Sequence, residues 1–120
     1  MATTRKTLIL VRHAKSSWKD ASLADIDRPL NKRGRRNAPA MGSWLANLGK
    51  VPDLIVSSPA ARARATAEFF AEAVGIETKE IEVEQDLYFA GTDGMIRALE
   101  RVDDRHDRVA IFASDAESHS

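Results

Sequence analysis

An α/β domain on a mainly parallel sheet is the fold class this sequence predicts, on three observations. Four short runs, at 7–11, 53–57, 80–83 and 109–112, have the length and the apolar or alternating character of strands. The longer stretches between them repeat apolar residues at helical spacing, and strands separated by helices imply right-handed crossovers within a parallel sheet. The 120 residues are 43% hydrophobic and 30% charged, the balance of a single globular domain with a core.

The first strand, Thr7-Leu8-Ile9-Leu10-Val11, is apolar throughout, as in a strand buried on both faces. Residues 14–29 are polar and irregular, with Lys15, Trp18, Lys19 and Arg28 spread through them. Asn31 is placed to cap a helix running to about Leu48, with Ala38, Met41, Leu45 and Leu48 on one face. Gly49 supplies its stop, and Pro39 either kinks the helix or marks its true start. Trp44 is expected in the core, whereas Lys32, Arg33, Arg35 and Arg36 read as a solvated face.

Residues 53–57 form the second strand. Ser58-Pro59 then reads as the N-cap and first residue of a second helix. Its apolar face is Ala63, Ala67, Phe70, Ala71 and Val74, and Gly75 ends it. The third strand, 80–83, alternates acidic and apolar residues, which suits an edge. Thr92 or Asp93 caps a third helix carrying Ile96, Leu99 and Val102, and Val109-Ala110-Ile111-Phe112 is the last strand. His106, ahead of that strand, is expected on the surface at the far end of the sheet.

In a parallel sheet the carboxyl ends of the strands share one edge, where open α/β folds build their crevices. Three strands deliver Arg12-His13, Ser57-Ser58 and Ala113-Ser114 to that edge. Arginine is a permanent forked cation suited to phosphate oxygens, and histidine can attack phosphorus or carry a proton. Arg62 follows at the start of a helix, where free N–H groups favour anions, so Arg12 and Arg62 can clamp one phosphoryl group. The bland alternatives are a structural histidine at His13 and a solvated side chain at Arg62.

Other chemistries find little support. The absence of cysteine removes disulfides, thiolate nucleophiles and cysteine-bound metals. His13, His106 and His119 lack ligand spacing, so no metal is expected, and no Walker loop or dinucleotide fingerprint calls for a cofactor. A net charge of +0 gives no general attraction to nucleic acid or membrane. The apolar stretch near the N-terminus is too short for a signal or a span, so a cytoplasmic protein is expected.

Three ordered motifs carry a resemblance. Leu10-Val11-Arg12-His13-Ala14-Lys15-Ser16, Arg28-Pro29-Leu30-Asn31-Lys32-Arg33-Gly34 and Ser57-Ser58-Pro59-Ala60-Ala61-Arg62-Ala63-Arg64-Ala65-Thr66 resemble signatures of the histidine phosphatase superfamily. The form Arg-His-Ala-Lys-Ser-Ser-Trp is similar to the small SixA-like phosphohistidine phosphatases, with a match from about Thr7 to Phe112. The resemblance implies a three-layer α/β/α fold of the phosphoglycerate mutase-like kind. It implies His13 as nucleophile, Arg12 and Arg62 as phosphate clamps, and Ser16 as a hydrogen-bonding group at the pocket rim. Asp86 would protonate the leaving group, with Glu84 as the alternative. The implied partner is a phosphorylated protein or a small phosphomonoester, with mutase chemistry on sugar phosphates as a variant.

The sequence departs from the pattern after the fourth strand. The family continues Gly-His-x-Pro; here Ser114 stands where that histidine is expected, and the polar tail brings His119 only later. The family's last helix and strand have no counterpart, as in a C-terminally truncated or frame-shifted product. Uncovered apolar sheet surface, and hence self-association, is expected. A phosphatase with impaired turnover is the first reading. A non-catalytic phosphate-binding or regulatory remnant is the second, and a fragment without function the third.

Overall fold

In a computed structural model, which describes residues 7–12, 26, 29–89, 91–103 and 105–113, four strands lie side by side and all parallel. They are β1 (Thr7–Arg12), β2 (Leu54–Ser57), β3 (Glu82–Val83) and β4 (Arg108–Ala113), in the order β1-β4-β2-β3. The helices between them are α1 (Lys32–Asn47), α2 (Ala61–Val74), α3 (Asp86–Phe89) and α4 (Gly91–Glu100). The expected three-layer α/β/α domain is therefore present. No helix among the described residues is long and apolar enough to cross a membrane.

Alternation along the strands sorts the core into two halves. Ile55, Ala110 and Phe112 point to one face and meet Leu45 of α1 with Ala67, Phe70 and Ala71 of α2. Phe70 and Phe112 meet edge to face, ring centroids 5.2 Å apart. Burying each such ring stabilises the fold by roughly 1.5–3 kcal/mol. Leu54, Val56, Val109 and Ile111 point the other way, onto Leu87 of α3 and Ala98 of α4. Among the described residues that second layer does not reach β1. Leu8 and Leu10 pair in register with buried Val109 and Ile111, yet are 43% and 41% exposed.

Asn31 caps α1 as expected, its side chain accepting from the Gly34 N–H at 2.9 Å. Gly49 and Gly75 stop α1 and α2 in the left-handed region, with φ of 70° and 83°. Pro39 lies inside α1, which begins at Lys32, so the proline does not mark its start. Trp44 corrects the sequence reading, since it is 62% exposed rather than core. Gly34, Ala38 and Gly42 let α1 lie close against its neighbours. A Cβ on Gly42 would stand 2.8 Å from that of Ala73 and 3.1 Å from the Phe70 carbonyl, leaving no space for an indole. Leu48, one turn beyond Trp44, is likewise exposed, outside the expected face.

Smaller corrections follow the same logic of local hydrogen bonds beating pattern. The N-cap of α2 is Ala60, not Ser58. The Ser58 hydroxyl instead accepts from the Ala60 N–H at 3.2 Å, delaying the helix. Residues Thr78–Glu80 close a 3-10 turn, which shortens the third strand to Glu82–Val83 at the sheet edge. The short α3 escaped the sequence reading, and α4 begins at Gly91, ahead of Thr92 and Asp93. Its inward stripe is buried Ala98 with partly buried Met95 and Leu99, while Ile96 is exposed.

At the amino edge Asp53 accepts from the N–H groups of Asp107 (3.0 Å) and Arg108 (3.3 Å), tying β2 to β4. Burial acts to raise the Asp53 carboxyl, but these hydrogen bonds and the nearby His106 bring it net below the usual 3.8. His106 is at the expected far end. It is not on open surface, however, because its ring is mostly covered and reaches Asp53 at 3.6 Å.

Candidate functional site

Register brings the strand ends together. Arg12 pairs with Ala113, while Ser57 pairs with both Phe112 and Val83. The ladder continues one residue further, where the Ser58 N–H donates to the Phe112 carbonyl at 2.8 Å. On the β3 side the Glu84 N–H donates to the Ser57 carbonyl at 2.9 Å. The described strands therefore end at Arg12, Ser57, Val83 and Ala113 along one edge, as the sequence predicts.

The two serines shape the turn into α2. Ser57 Oγ donates to the Ser58 carbonyl at 2.8 Å, and Ser58 Oγ receives the Ala60 N–H, so both hydroxyls are engaged by backbone. This turn places Arg62 second in α2, where backbone N–H groups have no helical acceptor. Arg62 has no exposed surface at all, which removes the reading of a solvated helix residue. Thr66 Oγ1 donates to the Arg62 carbonyl at 2.8 Å. Ala60, Ala63 and Tyr88 pack together beside it, with Ile26 against them. Tyr88 comes from α3, so this small helix packs against the start of α2. A buried guanidinium is costly unless something anionic or polar meets it.

Asp86 begins α3 at the same edge, and two arginines meet it there. Arg101 Nη1 donates to Asp86 Oδ2 at 2.8 Å and to Glu84 Oε2 at 2.6 Å, and Arg97 Nε reaches Asp86 Oδ2 at 3.4 Å. The hydrogen bond from Arg101 is the main influence. With the charges of Arg101 and Arg97 it holds the Asp86 carboxyl below the ordinary value of 3.8. Both carboxylates considered for leaving-group protonation are thus ion-paired. The sequence reading missed Arg97 and Arg101, although their spacing of four, at the end of α4 and just past it, was a usable signal.

His13, Ser16 and Ser114 lie outside the described residues, as do Trp18, His119 and the side chain of Arg12. Each of His13 and Ser114 directly follows a residue whose backbone is placed, and those two residues, Arg12 and Ala113, are paired neighbours. Among the described residues no three of His, Asp or Glu gather as a metal site. What the arrangement offers is a buried cation at a helix start, on the same sheet edge as the strand that leads to His13 and one strand removed from it. That combination suits a phosphoryl group bound by its oxygens.

Comparison with known proteins agrees with this geometry. The model of the histidine phosphatase superfamily (branch 1) matches residues 8–118, running past the expected limit at Phe112. An uncharacterized chloroplastic protein of Arabidopsis thaliana is 52% identical over 61 residues, 51% of this chain and 28% of that protein. An uncharacterized protein of Mycobacterium tuberculosis is 42% identical over 95 residues, 78% of this chain and 56% of the relative. The chain thus spans about half the length of the mycobacterial relative, and less of the plant one. Among solved structures, the protein assigned as phosphohistidine phosphatase SixA of Agrobacterium tumefaciens superposes with a TM-score of 0.79 at 28% identity. That match covers 93% of this chain and 71% of the other.

Proposed function

The chain belongs to the histidine phosphatase superfamily, and from that membership we propose that it hydrolyses phosphorylated substrates through a phosphohistidine formed on His13. A nitrogen of His13 attacks phosphorus, the bond to the leaving group breaks, and the leaving group takes up a proton. Water then attacks the phosphohistidine, releasing inorganic phosphate and freeing the imidazole. Arg12 and Arg62 hold the equatorial oxygens and stabilise the charge that spreads over them. Ser16 adds a hydrogen bond at the rim, and Ser114 offers a hydroxyl where the family has its second histidine. A hydroxyl carries no imidazolium charge, so turnover is slow.

The single observation that carries this reading is Arg62, wholly buried at the start of α2 on the edge that Arg12 also reaches. The substrate we favour is a phosphohistidine protein, with small phosphomonoesters second. Two points support the order. The relative assigned as SixA is described as a phosphohistidine phosphatase. Asp86 is also held ionised by Arg101 and Arg97, so it is not ready to protonate an alkoxide. A phosphoimidazole can take its proton from water on the other ring nitrogen and then leaves as neutral imidazole, without a positioned acid. The serine at position 114 favours one further reading, a domain that binds phosphate without turning it over.

Turnover of an aryl phosphate tests the proposal. His13→Ala should abolish it, and Arg62→Ala should lower it by about 10²–10³, the scale seen when one transition-state donor is lost. Turnover unchanged by His13→Ala would reject the assignment of the nucleophile.

A further inference from the structure

We propose that the outward face of α1 is a docking surface for an acidic protein, which it holds beside the phosphate site. The proposal names the partner of the phosphatase reading and rests on it for its purpose, though not for its measurement. Helix α1 begins with Lys32, Arg33, Arg35 and Arg36 and contains no acidic residue anywhere along its length. All four cations are exposed, and among the described residues none of them forms an ion pair. A helix N-terminus is the positive end of the macrodipole, so cations there cost stability and acids would be favoured. Helix stability therefore gives no reason for this cluster.

The cluster is aimed outward. At 3.6 residues per turn, Lys32 and Arg36 stand opposite the inward stripe of Gly34, Ala38 and Leu45. Arg33 and Trp44 share a neighbouring line, about 16 Å apart along the axis. Trp44 is the most exposed large apolar side chain among the described residues. Arginine and tryptophan on one exposed helix line are residue types that anchor protein interfaces.

The cluster also lies at the catalytic end. Both α1 and α2 return from the carboxyl edge of the sheet, so they run in the same direction. Arg35 shares a cleft with Ala65 and Phe69, which sets the first turns of α1 level with the turns that follow Arg62. Glu68 and Glu72 line that cleft as well, so Arg35 faces acids while Lys32, Arg33 and Arg36 remain for a partner. The zero net charge of the chain makes the field local, which suits a compact acidic patch more than a long polyanion.

Fluorescence anisotropy with a labelled peptide rich in Glu and Asp, containing leucine and no phosphate, tests the surface independently of catalysis. The full chain should bind it, more weakly as salt rises. Lys32→Glu, Arg33→Glu and Arg36→Glu together should weaken binding at least about tenfold. Trp44→Ala should weaken it several-fold while leaving the charges in place. The acidic triple variant improves the match to the helix dipole, so a thermal transition no lower than that of the parent is expected. No binding by the parent, equal affinity in the triple variant, or tighter binding of a single-stranded oligonucleotide would overturn the proposal. A chain that binds the peptide but fails to turn over phosphate would refute the catalytic reading alone.

Discussion

Arg62 and Asp86 show how far single residues could be read from the chain. The place of Arg62 was legible, because Ser57-Ser58-Pro59 fixes a strand end followed by a helix start. Its complete burial was not, because burial depends on elements distant in sequence, which spacing along α2 does not report. Asp86 was legible as an acid at the right edge, but its state depends on Arg97 of α4 and Arg101 just beyond it. With the carboxyl held below 3.8, Asp86 is ionised throughout the neutral range. Asp86→Asn should then lower phosphohistidine turnover at neutral pH by less than about tenfold, whereas a working general acid contributes about 10²–10⁴. A hundredfold loss, with activity falling as pH rises through a single ionisation, would restore the proton-donor role.

Among the elements, α1 carries the clearest lesson. Its cap, stop and extent followed from Asn31, Gly49 and the apolar spacing, and the helix runs Lys32–Asn47. Its contact face did not follow, because size was taken for burial. The helix packs through Gly34, Ala38 and Gly42, and the largest side chain it has, Trp44, is left outside. Small residues in a polar helix are easily passed over as neutral, yet here Gly42 sets the approach to α2 and Gly34 makes room for Leu30. Gly42→Val should therefore destabilise the fold by about 1–3 kcal/mol through overpacking against Ala73 and the Phe70 carbonyl. Trp44→Ala should change stability far less, and chemical denaturation of the two variants compares them directly. The reverse ranking would mean that the α1–α2 contact is misassigned.

The whole molecule was the most legible level. Four strand-like runs and the helical spacing between them were enough for a parallel α/β sheet, because crossover rules leave few alternatives. What covers the sheet was less so. Among the described residues the α3–α4 layer stops at β4, leaving Leu8 and Leu10 partly exposed on β1, the end strand of the described sheet, whose apolar run holds no charge or proline to discourage pairing. The 120-residue chain should self-associate through β1, so its mass by sedimentation should rise with concentration. Leu8→Lys with Leu10→Lys should return it to a monomer. A monomeric mass at every concentration, with a sharp thermal transition, would refute this.

The central claim is that the strand ends assemble a phosphate site around His13, with Arg62 as its buried cation. The most direct test is to expose the chain to a radiolabelled phosphohistidine donor, quench it rapidly and map the label. Acid-labile, base-stable phosphate on His13, absent from His13→Ala and reduced in Arg62→Ala, is the result expected. A chain that releases phosphate from the donor while His13 stays unlabelled, at a rate indifferent to His13→Ala, would contradict it.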